Sequence, residues 1–326
     1  MNKRDFFDCC SWFIMLGLAM VSISVVVGSG SVLLMNKLDR VALSTSTPKP
    51  TCERLLENIH KTPSASKNIR VDKKYILDVY HVKGDQISGP QKKTVPVNLR
   101  ELQNDLESQK LIWDYFVSII PSEKRVPLTE YRIFTDGSGN KTGYNHISFT
   151  LNGEDVSETW ALEIDLADYQ DLKSVSDVLV HEFAHMLTLN VHQIDVRTSP
   201  TDCQFYADDS QCSSKDSYLN RFFIRFWKWN LYDEWKTITS QADQSAVERE
   251  LTSFYQSHPQ DFVREYAATA PREDIADSWT YFVMTPKPAG NTVAEEKILF
   301  FYEIPELVDL RSQIRSRICK YYNMPE

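Results

Sequence analysis

The sequence predicts an α+β fold, and three observations lead there. Segments rich in β-branched and aromatic residues cluster between residues 75 and 164, and helical periodicity takes over from Leu172 to Tyr322. The composition, 42% hydrophobic and 12% aromatic over 326 residues, supplies a sizeable core. The expected architecture is a small, mostly antiparallel sheet followed by a largely helical half. Acidic side chains outnumber basic ones, 45 to 36, for a formal charge of −9. A sequence-independent hold on a phosphate backbone needs clustered Lys and Arg, so nucleic acid is not an expected partner.

The chain opens with a short tail, residues 1–8, before an uncharged run from Cys9 to Met35. At about 1.5 Å per residue, a helix over 9–35 exceeds the roughly 30 Å hydrocarbon core of a bilayer. It is read as a single transmembrane anchor. A cleaved signal peptide is the alternative, because Gly28-Ser29-Gly30-Ser31 supplies small residues after the most apolar part. Lys3 and Arg4 balance Lys37 and Arg40, so positive charge does not decide the orientation. Residues 36–70 contain Ser44-Thr-Ser-Thr-Pro-Lys-Pro50 and little apolar periodicity, and read as a stalk. The domain is expected to fill 71–326.

Within it, Tyr75–Val82 reads as a strand, and Leu99, Leu102, Leu106, Leu111, Ile112 and Phe116 fall mostly at helical spacing. Strands follow around Leu128–Phe134, Asn145–Leu151 and Glu158–Ile164, separated by Asp136-Gly-Ser-Gly and Asn152-Gly153 turns. Helices are predicted over Val175–Val191, Tyr218–Trp235, Ala246–Ser257, Asp261–Ala268, Arg272–Met284 and Glu295–Tyr322, the last interrupted at Pro305. The stripe Phe222, Phe223, Phe226, Trp227, Trp229 reads as core. Cys203 and Cys212 sit nine apart in a polar loop with little core of its own, where a disulfide would hold it; this favours an oxidising, extracytoplasmic side for the domain.

His181-Glu182-Phe183-Ala184-His185 lies inside an apolar helix, Val178 to Leu187. Histidines four apart project from one helical face, close enough to bind one tetrahedral zinc ion, with the intervening glutamate beside a metal-held water. A third protein ligand is then needed. His192 falls one residue out of register with Val191, the position from which some zinc hydrolases take it. The better candidate is Glu273, in Ala270-Pro-Arg-Glu273-Asp-Ile-Ala-Asp277, where Pro271 opens a helix and Glu273 and Asp277 share one face. Asp277 is placed to accept the other ring N–H of a zinc histidine and so set its tautomer.

HExxH followed by a separate E-x-x-x-D helix resembles the gluzincin metallopeptidases. Within that group, Tyr266-Ala-Ala-Thr-Ala-Pro-Arg-Glu273-Asp-Ile-Ala-Asp277 is most similar to the catalytic domain of the anthrax lethal factor type, with a tyrosine seven residues before the ligand glutamate. The resemblance covers these two short segments. It departs at Asp277, where that type has a glutamate, and in the long insert with its cysteine pair.

The resemblance implies a zincin-like helical half, zinc ligands His181, His185 and Glu273, Glu182 as general base, and Tyr266 facing the developing oxyanion. It also implies that the strand before the active helix, Thr159–Leu166, edges the cleft and pairs with extended substrate. The expected function is membrane-anchored, zinc-dependent endopeptidase activity on a peptide or protein. Two alternatives stand beside it: a noncatalytic, zinc-stapled binding module, which would have little use for Glu182, and a zinc hydrolase of a nonpeptidic substrate.

Overall fold

The computed structural model describes residues 51–60, 67–139, 143–152, 155–207 and 211–324. The tail at 1–8 and the anchor expected at 9–35 lie outside the described residues. Among the described residues, no helix is long and apolar enough to cross a membrane.

The first described helix, α1 (Cys52–His60), falls within the stretch read as stalk, yet Leu55, Leu56 and Ile59 are buried in the core. Residues 52–60 therefore belong to the folded unit that runs from Lys49. Three apolar residues on one face of a single two-turn helix give too little periodicity to stand out from a polar linker.

Strand β1 (Tyr75–Lys83) pairs antiparallel with β2 (Gln86–Lys92), which the sequence did not suggest because it is polar and contains Pro90. The short helix α2 (Arg100–Gln103) leads into α3 (Leu106–Ile119), capped by Asp105. Gln109 of α3 meets the sheet, accepting from the Tyr80 hydroxyl at 2.6 Å through its side chain and from the Tyr131 hydroxyl at 3.1 Å through its carbonyl. Then come β3 (Leu128–Thr135), β4 (Gly143–Asn152) and β5 (Asp155–Asp165). The sheet runs β2-β1-β3-β5-β4 and is mixed, since β3 and β5 are parallel while the other pairings are antiparallel.

That order corrects one expectation. Thr159–Leu166 does not edge the sheet, because β5 lies between β3 and β4, and its buried half, Trp160 to Asp165, reads as an interior strand. The edge strand on this side is β4.

Helix α4 (Leu172–Thr188) follows, its start fixed by a reciprocal cap in which Asp171 accepts from the Ser174 amide and Ser174 Oγ accepts from the Asp171 amide. A two-strand ribbon, β6 (Ile194–Asp195) with β7 (Cys212–Ser213), precedes α5 (Tyr218–Phe226), α6 (Tyr232–Thr239) and α7 (Gln244–Ser257). The single helix expected over Tyr218–Trp235 is broken after Phe226, where Trp227 turns its indole N–H inward to Asp274. Phe222, Phe223, Phe226 and Trp227 are core, as read; Trp229 is 77% exposed.

The segment expected to be helical at Asp261–Ala268 contains only a 3-10 turn, Glu265–Thr269, because Arg264 is extended (φ −160°, ψ 170°) to reach Asp277. Helix α8 (Pro271–Met284) starts at Pro271, as expected, and is buried on nearly every face. Helices α9 (Val293–Tyr302) and α10 (Pro305–Tyr321) close the chain. Arg311 and Arg315 of α10 donate to Thr285 and Val283 carbonyls at the end of α8, at 2.9 and 2.6 Å. Disulfides join Cys52 to Cys319, tying α1 to α10, and Cys203 to Cys212, with Cα–Cα distances of 5.5 and 5.6 Å.

Candidate metal centre

Helices α4 and α8 pack together, and their facing residues are the ones singled out by motif. His181, Glu182 and His185 are buried on α4 at 5, 5 and 8% exposure, within a helix otherwise lined by Val180, Phe183, Ala184 and Met186. The α8 face opposite presents Glu273 and Asp277 one turn apart.

Glu273 Oε2 lies 3.2 Å from His181 Nε2 and 3.2 Å from His185 Nε2. One ligand atom from each of the three residues falls within 4.8 Å of the others. Ligand bonds of about 2 Å in a tetrahedron put ligand atoms about 3.3 Å apart, so the His–Glu spacings leave room for a small metal ion. The tautomer agrees. His181 Nδ1 is 2.7 Å from Asp277 Oδ1, and since a carboxylate only accepts, that nitrogen carries the proton and Nε2 is left to face Glu273. A lone pair aimed at a carboxylate oxygen is tolerable only with a proton or a cation between them.

The charges follow this geometry. Burial would lower His181, but Asp277 at one nitrogen and Glu273 at the other outweigh it and push it up to about 10. Burial would raise Glu273, yet the His185 and His181 rings hold it well below the usual carboxylate range. Burial acts the same way on Asp277, and His181 and Arg264 overcome it and keep it low. A divalent ion among these groups would need the facing Nε2 atoms free of protons, so its binding would be linked to pH.

Tyr266 sits in the 3-10 turn before α8, partly exposed, its ring centroid 5.7 Å from that of His181. His192 is exposed beyond the end of α4, where its amide bonds the Asn190 side chain, and it is not part of the group. Four motif residues, His181, His185, Glu273 and Asp277, therefore meet, with Glu182 one helical position from the first histidine and Tyr266 beside it.

Two participants were missed by sequence reasoning. Arg264 grips Asp277 from the far side, Nε donating to Oδ2 at 2.8 Å and Nη2 to Oδ1. Its sequence signal was an arginine thirteen residues from the acid it binds, which no periodicity marks. Gly143 opens the edge strand β4 directly over Glu182: a methyl group there would stand 2.6 Å from Val178 Cγ1 and 2.8 Å from Glu182 Oε1. Only a residue without a side chain lets the strand pass this close to the helix.

No protein-family model matches the chain, and neither curated proteins nor solved structures show a significant similarity to it.

Proposed function

We propose that this protein is a zinc-dependent endopeptidase of the gluzincin type, most similar in its site to the lethal factor catalytic domain, and that residues 9–35 anchor it in a membrane with the domain on an oxidising side. One observation carries the enzymatic reading: both histidines of the HExxH helix converge on Glu273 of a separate helix, with Asp277 setting the His181 tautomer. The two disulfides support the compartment.

His181, His185 and Glu273 would hold the ion, which when bound polarises a scissile carbonyl and brings its water's pKa toward 7. Glu182 is the general base, taking a proton from the attacking water and passing it to the leaving amine. A buried carboxylate held beside two histidines suits that transfer better than a structural role, which favours catalysis over a zinc-stapled binding module. The Tyr266 phenol donates to the tetrahedral oxyanion, a contact worth about 10² to 10³ in rate when preorganised. Asp277 keeps His181 oriented. Among the described residues, no strand pairs with the outer side of β4, so that edge can take an extended peptide as a further antiparallel strand close to Glu182.

The test is metal analysis and peptide-library cleavage by the full chain, beside Glu182→Gln. About one zinc per chain is expected in both proteins, with turnover in the variant reduced by at least about 10³-fold. Equal cleavage by Glu182→Gln would remove the mechanism. Cleavage of esters but of no peptide would favour the nonpeptidic hydrolase.

A further inference from the structure

The insert that sets this chain apart from its nearest resemblance also shapes a cavity. The polypeptide from Pro200 to Ala207, held by the Cys203–Cys212 disulfide, faces helix α6 across a space of about 780 Å3, within the usual range for ligand pockets. Its walls include Phe205, Tyr206, Tyr232 and Trp235, and its cations are Lys236 and Arg272.

The cavity is joined to the metal centre by bonded neighbours. Arg272 precedes the ligand Glu273, and its Nε donates to Glu273 Oε1 at 3.3 Å. The Trp235 indole N–H donates at 2.8 Å to the carbonyl of Thr269, in the 3-10 turn that carries Tyr266. Tyr232 and Trp235, both lining the cavity, are stacked with centroids 5.7 Å apart at 22°, and the Lys236 ammonium lies 5.7 Å from the Tyr232 centroid. Phe205, 38% exposed, stands on the insert side.

We infer that this cavity is the specificity pocket of the peptidase, taking an aromatic side chain of the substrate while Lys236 pairs with a carboxylate on the adjoining residue. The proposal rests on the peptidase reading for its substrate class. A slot with aromatic walls rewards a flat apolar ring through burial and offset stacking. The space exceeds one ring, and the exposed Lys236 ammonium on the same cavity favours an acidic neighbour. With a net charge of −9, the chain has no general attraction for acidic peptides, so a local cation is what would admit one. The disulfide then has a role in specificity, because it fixes the wall on which Phe205 stands.

The test separates binding from cleavage. The full chain carrying Glu182→Gln is titrated calorimetrically with three blocked hexapeptides that differ only in a central Phe-Glu, Ala-Glu or Phe-Lys pair. Phe-Glu is expected to bind about tenfold more tightly than either of the others. Adding Lys236→Glu should reverse the order of Phe-Glu and Phe-Lys, and adding Phe205→Ala should narrow the gap between Phe-Glu and Ala-Glu. Both positions are exposed, so neither change threatens the fold. Equal affinities for the three peptides, or an order unchanged by Lys236→Glu, would overturn the pocket even if the wild type cleaves peptides. The expected order and its reversal would sustain the pocket as a peptide site even if the wild type cleaves nothing, and only the peptidase reading would then fall.

Discussion

Glu273 and Asp274 are consecutive acids in the first turn of α8, both withdrawn from water, and their surroundings are built on opposite plans. Asp274 is closed. Its Oδ2 accepts from the Trp227 indole at 2.7 Å and from the Lys297 ammonium at 2.6 Å, and both members of the ion pair are fully buried. Lys297 also donates to the Asp261 carbonyl at 2.6 Å and lies 4.2 Å from the centre of the Phe262 ring. Burial still pushes Asp274 up to about 6 despite that ammonium. Glu273, by contrast, faces two imidazole nitrogens at the spacing of ligands about an ion. A buried carboxylate can thus be completed by a side chain of its own chain, which makes it a staple, or, on the reading proposed for Glu273, by an ion brought from outside, which makes it a site.

The sharpest way to break this comparison is to remove each acid's partnership in turn. Glu273→Ala takes away one of three protein ligands and is expected to lower zinc affinity by at least about 10³-fold, on the order of 4 kcal/mol, as read by competition with a chelator. Unchanged affinity would mean that Glu273 and Asp274 are both structural. Lys297→Met, of similar volume, should act on stability instead. It leaves Asp274 buried without its ammonium, and a loss of about 3 to 5 kcal/mol in chemical denaturation is expected, with about one zinc still bound per folded chain. Selective loss of zinc with little loss of stability would reverse the assignment of staple and site.

The two acids were not equally legible in the sequence. Glu273 stands out in the sequence because Pro271 opens its helix and it shares one face with Asp277, a spacing suited to an ion and the histidine bound to it, while its distance from Tyr266 enters only through the resemblance. Asp274 carries no such signal, since its partners Trp227 and Lys297 come from other segments and no spacing records a tertiary meeting. The same limit explains the rest. The strong periodicity of α4 and the Pro271 start of α8 were readable, and so was the order of strands before helices. The position of β5 inside the sheet was not, because Glu163 and Asp165 give its apolar run the alternation of a one-sided strand, and their burial follows only from neighbours the sequence does not record. The break between α5 and α6 was hidden for the same reason as Asp274, since Trp227 leaves the helix to reach it.

A smaller effect separates orientation from ligation. Asp277→Asn retains an oxygen to face His181 but loses the charge that holds the imidazole, and zinc affinity should fall by roughly 10 to 100-fold, less than in Glu273→Ala. Asp277→Glu, the residue of the lethal factor type, should fall less far than the amide. Melting of the zinc-stripped variants is the control: loss of stability with zinc affinity intact would reduce Asp277 to a packing residue and weaken the contrast with Asp274.

The smallest expected effect is at Arg264, which touches no proposed ligand and acts only through Asp277. Its fork holds both Asp277 oxygens, so the carboxylate that orients His181 is itself oriented. Arg264→Gln should weaken zinc binding by about three to tenfold, a step below Asp277→Asn, and Arg264→Lys should fall between wild type and Gln, because it keeps the charge but not the two-point grip. In the background of Asp277→Asn, Arg264→Gln should add little further loss, since the group through which it acts is already altered; that lack of additivity is the readout a merely structural arginine would not produce. If the two losses instead multiply in full, Arg264 stabilises the extended segment before the 3-10 turn by a separate route, and the chain of orientation from Arg264 through Asp277 to His181 is broken at its first link.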